Sequence, residues 1–180
     1  METWVIAVII VLLVIGVAAY AATRTRREKS SRGLKERFGS EYDRVVERTP
    51  DRSEAEEELR RRVERHEQLE IIDLSDEQRE RYVVAWRDVQ RRFVDEPEAT
   101  LGDADRLITQ AMRDRGYPTE HFDQKIEDLS VEHADNLNAY REAHAIADRH
   151  ERDGVTTDEL RLAMQRYRVV FEGIVGTHAA

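Results

Sequence analysis

The hydrophobic and polar positions divide the chain into an apolar N-terminal run and a long, charged remainder. Residues 4–22 carry no charged side chain, and after residue 23 the apolar residues recur at intervals of three and four. Such intervals place side chains on one face of an α-helix. No stretch alternates with a period of two, and no hairpin dipeptide joins two apolar runs. The pattern therefore predicts an all-α fold.

The apolar run has the length of a membrane-spanning helix. At the helical rise, residues 4–22 span about 28 Å, close to the roughly 30 Å hydrocarbon core of a bilayer. Trp4 and Tyr20 lie near the two ends of the run, where aromatic rings prefer the headgroup region. We predict a transmembrane anchor in residues 1–23 that contacts the lipid bilayer through residues 4–22.

A basic cluster follows the anchor and indicates its orientation. Its members are Arg24, Arg26, Arg27 and Lys29. Positive charge beside a span favours the cytoplasmic side, and it attracts anionic lipid headgroups by about 1 kcal/mol per residue. We expect a single-pass protein with its N-terminus outside and its helical domain in the cytoplasm. A nucleic-acid-binding arm is the alternative for this cluster, but the net charge of −9 argues against nucleic acid as a partner.

Export is the alternative topology. Ala19, Tyr20 and Ala21 resemble the small-x-small pattern of a signal-peptidase site. A secretory signal, however, begins with positive residues and has an apolar core of about 7–15 residues, whereas this chain begins Met-Glu-Thr and its run is longer. The chain has no cysteine, which excludes disulfides, thiolate catalysis and cysteine-ligated zinc but leaves either side of the membrane open.

Capping and helix-breaking residues divide the chain after the anchor into five to seven helices. Residues 24–50 are predicted to form a basic juxtamembrane segment and a short helical linker, with a flexible spacer at residues 30–33. The predicted boundaries are, in chain order, Gly39, Pro50 or Ser53, the capping box of Ser75 and Gln78, Pro97, Gly116, Thr119, Ser130, Gly154 and the capping box of Thr156 and Glu159.

A highly charged helix is predicted within residues 51–74. Three consecutive glutamates stand four residues before three consecutive arginines, the favourable order for ion pairs along a helix. Its apolar positions, Leu59, Val63 and Leu69, form only a narrow stripe. Such a helix packs at the edge of a domain, associates with a partner helix, or projects as a spacer. We favour edge packing.

Residues 75–176 are predicted to form a compact helical bundle or array. Tyr82, Trp86, Val89 and Phe93 recur at spacings of four, three and four, so they share one helical face. An aromatic face with this spacing is typical of a hydrophobic core rather than of a ligand site. We place that core between Asp76 and Val175.

Candidate catalytic and metal-binding residues are sparse. His144, Asp148 and Glu151 share one helical face, and His133 lies three turns before His144. One helix alone cannot surround a zinc ion, and acid-rich sequences yield such trios by chance. The chain lacks the phosphate-binding, dinucleotide-binding, nucleophile-elbow and zinc-protease motifs. A calcium-loop alignment over residues 148–160 fails because Leu160 stands where a carboxylate is required. We therefore predict no catalytic, cofactor-binding or metal-binding residue and no enzymatic activity.

Three segments resemble an uncharacterised family of small, largely actinobacterial proteins labelled as membrane or secreted proteins. They are residues 34–47, 74–97 and 115–118, and the most specific string runs from Trp86 to Pro97. The resemblance covers most of residues 1–175. It implies a single anchor with an appended helical domain, brings no known activity or site, and leaves the topology open.

The sequence thus favours a membrane-tethered scaffold or adaptor whose helical domain binds another protein or a second copy of itself. An exported or envelope-facing domain that binds a ligand or assists stress resistance is the alternative. A hydrolase that uses carboxylates or His144 in a cleft between helices is a remote third.

Overall fold

The computed structural model describes residues 28–176, and all regular secondary structure in this range is α-helical, which confirms the all-α class. Helix α1 occupies residues 28–38. The other helices are α2 (Ser40–Arg48), α3 (Arg52–His66), α4 (Asp76–Arg92), α5 (Pro97–Asp114), α6 (Phe122–Glu132), α7 (Ala134–Asp153) and α8 (Thr157–Val175). These eight segments within the described range exceed the expected five to seven by one.

The predicted membrane anchor, residues 4–22, lies outside the described residues. So do Arg24, Arg26 and Arg27 of the basic cluster, whereas Lys29 is an exposed residue of α1. Among the helices between residues 28 and 176, none has the length and apolar character needed to cross a bilayer. The transmembrane anchor therefore stays a prediction.

Capping residues set several helix ends as predicted. The Ser75 hydroxyl accepts a hydrogen bond from the Gln78 backbone N–H at 3.2 Å, and the Gln78 side chain accepts one from the Ser75 N–H at 2.9 Å. Thr156 starts α8 with the same arrangement. Gly116 follows α5 with φ 95°, and a β-carbon there would lie 2.5 Å from the carbonyl oxygen of Glu70. Glycine is required at that position because no other residue has both the backbone freedom and the space.

Four boundary predictions are wrong. The helix predicted to begin at Pro50 or Ser53 begins at Arg52, because the Asp51 carboxylate caps it by accepting a hydrogen bond from the Ser53 backbone N–H. Residues 30–33 are not a flexible spacer but part of α1, whose Leu34 and Phe38 are buried. Ser130 does not begin a helix; it lies inside α6, where its hydroxyl donates to the Glu127 carbonyl oxygen. Thr119 does not cap α6, which begins after His121 without a side-chain cap.

The larger hydrophobic core lies among α4, α5, α6, α7 and α8. Helix α8 packs against both α5 and α7. The rings of Trp86 and Phe171 stack with their centroids 4.5 Å apart, which joins α4 to α8. Tyr82, Trp86 and Val89 are buried, so the predicted aromatic face of α4 points into this core as expected.

Helices α1, α2 and α3 form a second, smaller core. Its buried members are Leu34, Phe38, Tyr42, Val45, Ala55, Leu59 and Val131. Val131 belongs to α6, so the smaller core lies against the larger array, where α3 packs against α6 and α2 packs against α7. Edge packing of the charged helix α3 is therefore confirmed.

Candidate functional site

A cleft opens between α2 and α6. Helices α2, α3, α6 and α7 form a ring in which each packs against the next. Within this ring a cleft of about 800 Å³ is lined by α2 on one wall and by α6 on the other. Arg62 of α3 and Arg141 of α7 line it between the two walls. We call it the α2–α6 cleft; its volume falls within the range of about 300–1,000 Å³ that is usual for binding sites.

A buried carboxylate links the helices around the cleft. Glu41, in the first turn of α2, is 2% exposed. It accepts two hydrogen bonds from Arg141, at 2.7 and 2.8 Å, and one from Arg62 at 3.2 Å. Arg62 also pairs with Glu58 and lies 3.4 Å from the Ser130 hydroxyl. We call Glu41, Arg62 and Arg141 the buried triad.

The triad is a structural element with a fixed charge. Burial raises the pKa of Glu41, but the hydrogen bonds and positive charges of Arg141 and Arg62 outweigh burial and place that pKa below its ordinary value. Glu41 is therefore ionised at neutral pH. Because its partners belong to α3 and α7, the carboxylate joins three of the four helices around the cleft.

The cleft walls present side chains in rows along each helix. Residues i and i+4 of a helix lie on one side of it, about 6 Å apart along its axis. The rows are acidic Asp43 and Glu47, basic Arg44 and Arg48, apolar Phe122 and Ile126, and acidic Asp123 and Glu127. The cleft thus presents both signs of charge, but little apolar surface, because Phe122 is half-buried and Ile126 is 6% exposed.

Some of these charges are already paired and others are not. Asp43 pairs with Lys35, Arg48 with Glu58, and Glu127 with Arg65. By contrast, Arg44, Glu47 and Asp123 are exposed and have no ion-pair partner among residues 28–176. These three side chains are available to a ligand.

The histidine candidates from the sequence do not assemble into a metal site. His144 Nε2 lies 3.7 Å from Asp148 Oδ1, but the His144 ring stacks on Phe122 with centroids 3.7 Å apart. His133 instead lies beside Arg115, and the side chain of Glu151 is outside the described part of the chain. Among the side chains that the structure describes, no group of three or more is arranged to bind a metal ion.

A charged junction connects α3 to the larger core near His133. The Arg115 guanidinium lies 3.3 Å from His133 Nε2, and the Tyr117 hydroxyl donates to Glu132 at 2.6 Å. His66 Nε2 lies 3.6 Å from the same carboxylate. Burial lowers the pKa of His133, and the positive charge of Arg115 lowers it further. His133 is therefore neutral at pH 7.

Lys125 is a buried lysine close to the α6 wall. It is 7% exposed and donates to the Tyr140 hydroxyl at 3.0 Å and to the Thr109 hydroxyl at 3.3 Å. Burial lowers the pKa of its ammonium group. Lys125 does not line the α2–α6 cleft. Its contacts connect α5, α6 and α7, which indicates a structural role.

Sequence reasoning missed the buried triad. In a chain that is 37% charged, Glu41, Arg62 and Arg141 do not stand out from other acidic and basic residues. One signal was available: Glu41 lies four positions before the apolar Val45, so the two share a face of the helix that the sequence predicts after Gly39. An acid on an apolar face requires a buried counter-charge.

Comparison with models of protein families, with curated proteins and with solved structures finds no match for this chain. The resemblance to the actinobacterial family therefore stays a prediction. Function has to be argued from the cleft and its surroundings.

Proposed function

We propose that this protein is a membrane-tethered, non-enzymatic helical module that binds another protein, or a second copy of itself, through the α2–α6 cleft. Residues 4–22 form the tether in this proposal, and the basic cluster beside them faces anionic headgroups on the cytoplasmic side. The observation that carries the proposal is the composition of the cleft walls. Charges of both signs that have no ion-pair partner among residues 28–176 lie beside the half-buried ring of Phe122, a combination of charged and aromatic groups that protein–protein interfaces use.

The buried triad supports a binding role for the cleft. Glu41 fixes Arg62 and Arg141 to one another, and these two arginines line the cleft. Side chains that are already fixed in one arrangement before a partner binds lose less conformational entropy on binding. The cleft is therefore organised before association.

The surroundings of the ionisable groups with shifted pKa values also favour binding over catalysis. A catalytic acid or base needs access to a substrate in a pocket. Glu41 is enclosed by two arginines, Lys125 donates to Tyr140, and His133 lies against Arg115. Each of these three ionisable side chains therefore already contacts another side chain of the same chain.

Photocrosslinking in the membranes of cells that make the protein tests the proposal. A photoreactive residue is placed at Arg44 or Asp123, one on each wall, and at Arg87, an exposed residue of α4 outside the cleft. We expect a higher-mass adduct from both cleft positions and not from Arg87, and mass spectrometry then separates a distinct protein from a second copy. Uncomplexed monomer from both cleft positions, or equal adducts from Arg87, would contradict the proposal.

The alternative hypothesis is that the helical domain is exported. It rests on the small-x-small pattern at residues 19–21. Alkaline phosphatase fused after residue 180 is active only outside the cytoplasm. We expect the fusion to be inactive. An active fusion would show that the helical domain is exported and not cytoplasmic.

A further inference from the structure

The segment that joins α3 to α4, residues 67–75, is exposed along most of its length. We call it the α3–α4 linker, and Leu74 is its one buried residue. The Ile72 N–H donates to the Arg115 carbonyl oxygen at 2.9 Å, and the Ile72 carbonyl oxygen accepts from Arg115 Nε at 3.2 Å. Segments with few buried contacts open at a lower free energy than a packed core does. The position of the linker therefore depends on Arg115.

Arg115 is fixed in turn by groups from α8 and from the junction of α6 and α7. It is 9% exposed, and its Nη1 donates to the Ile174 carbonyl oxygen, at the end of α8, at 3.2 Å. The same nitrogen lies 3.3 Å from His133 Nε2, between α6 and α7. Asp73 of the linker and Glu132 of α6 lie 3.6 and 3.8 Å from Arg115 Nη2. One guanidinium thus joins the linker to three helix ends.

The contact between Arg115 and His133 requires a neutral imidazole. A guanidinium has N–H donors and no acceptor, so His133 Nε2 has to accept in this contact. A protonated imidazole donates from both nitrogens, and it would place two positive charges 3.3 Å apart. On its other side the ring faces the backbone of α8, since a β-carbon on Gly173 would lie 3.9 Å from His133 Nδ1. The ring has to separate from Arg115 when it takes up a proton.

The charged groups around His133 do not compensate for that proton. The Glu132 carboxylate lies 3.8 Å from His133 Nε2, but it already accepts from the Tyr117 hydroxyl at 2.6 Å. His66 of α3 lies 3.6 Å from the same carboxylate, and an imidazole also becomes cationic in acid. Burial and the positive charge of Arg115 lower the pKa of His133. Acid therefore acts against the contact that fixes Arg115.

We propose that Arg115 and His133 form a pH-sensitive latch that holds the α3–α4 linker while His133 is neutral and releases it when His133 is protonated. The release is local, because α3 keeps its other contacts. Arg62 of α3 stays in the buried triad, and Arg65 pairs with Glu127 of α6. The inference goes beyond the proposed function and is independent of the membrane anchor and of the α2–α6 cleft.

Hydrogen exchange of the full-length chain in non-ionic micelles, followed by mass spectrometry, tests the inference. Exchange is compared at about pH 7 and about pH 5.5 after correction for the intrinsic effect of pH, and one proton raises the opening constant by at most about tenfold per pH unit. We expect the linker to exchange at least about threefold faster at the lower pH, and the part of α3 around Arg62 to be unchanged. Equal exchange of the linker at both pH values, or the same acceleration throughout α3, would overturn the inference.

Single-histidine variants assign the effect to one ring. His133→Gln keeps an amide oxygen that accepts from Arg115 but does not titrate, so its linker should stay protected at both pH values. His66→Gln and the control His121→Gln, at an exposed position before α6, should keep the acid response. A response that persists in His133→Gln, or that His66→Gln abolishes, would contradict the latch.

A measurement on the unmodified chain does not depend on the folding of any variant. Nuclear magnetic resonance of isotope-labelled histidine follows the protonation of His133, and amide exchange over the same pH series gives the midpoint of linker opening. We expect the two midpoints to coincide. A linker that stays closed after His133 is protonated, or an opening that follows another histidine, would overturn the inference.

Discussion

Replacing Glu41 by glutamine removes a buried negative charge and leaves two guanidinium groups without their counter-charge. The side chains of Arg62 and Arg141 are 2% and 18% exposed, so water replaces the carboxylate poorly. Removing one partner of a buried ion pair costs about 3–5 kcal/mol. Because Arg141 keeps some solvent contact and Arg62 retains Glu58, we expect a loss of about 3 kcal/mol, near the lower limit of that range.

A loss of this size is easy to measure. Domains are typically stable by roughly 5–15 kcal/mol, and each 1 kcal/mol lowers the Tm of a chain of this size by about 2–4 °C, so the Tm of Glu41→Gln should fall by roughly 6–12 °C. Thermal and urea unfolding of the full-length chain in micelles, followed by circular dichroism, measures the change. The control Glu64→Gln alters an exposed glutamate of α3 and should shift stability by less than about 0.5 kcal/mol.

A compensating variant separates lost charge pairing from general damage to the fold. Glu41→Leu combined with Arg62→Met and Arg141→Met removes all three charges together and should recover most of the lost stability, since apolar replacements of buried ion pairs are often neutral. If Glu41→Gln unfolds within about 0.5 kcal/mol of the unmodified chain, the triad does not join the helices around the cleft.

Two further predictions concern Gly116 and His133. Gly116→Ala should destabilise by more than about 1 kcal/mol because its φ is positive and its β-carbon would meet the backbone of Glu70. Gly102→Ala, inside α5, should stabilise by about 0.5–1 kcal/mol, because its β-carbon would only make an ordinary 3.7 Å contact with the Arg106 side chain. Urea unfolding of both variants checks this, and equal effects would refute it. The pKa of His133 is lower in the folded chain than its ordinary 6.5, so just below that pH the unfolded state binds more protons and stability falls as pH is lowered. In His133→Gln the free energy of unfolding should therefore decline less between about pH 7 and pH 5. An unchanged decline would show that Arg115 and burial do not disfavour the charged imidazole of His133.

Local signals explain which parts of the fold the sequence could predict. The capping boxes at Ser75 and Thr156 and the breaks at Gly116 and Gly154 depend on neighbouring residues, and the structure confirms them. Most errors arise where packing between distant elements decides, as in α1, which buries Leu34 and Phe38 despite its polar, glycine-containing start.

The candidate site lay beyond sequence reasoning for a related reason. The cleft combines α2, α3, α6 and α7, and Glu41 meets a partner 100 positions away in Arg141. In a chain with this many charges, spacing alone cannot show which acid meets which base. The folded arrangement shows which two arginines enclose the buried Glu41, whereas Glu47 on the same helix is exposed and has no ion-pair partner among residues 28–176.

Crosslinking from Asp123 in intact membranes, with Arg87 as the control position, tests cleft-mediated protein binding most directly. We expect an adduct of a defined partner from Asp123 and none from Arg87, and we expect Arg44→Glu on the facing wall to reduce that adduct. Recovery of uncomplexed monomer from Asp123, or an adduct unaffected by Arg44→Glu, would contradict the proposed function.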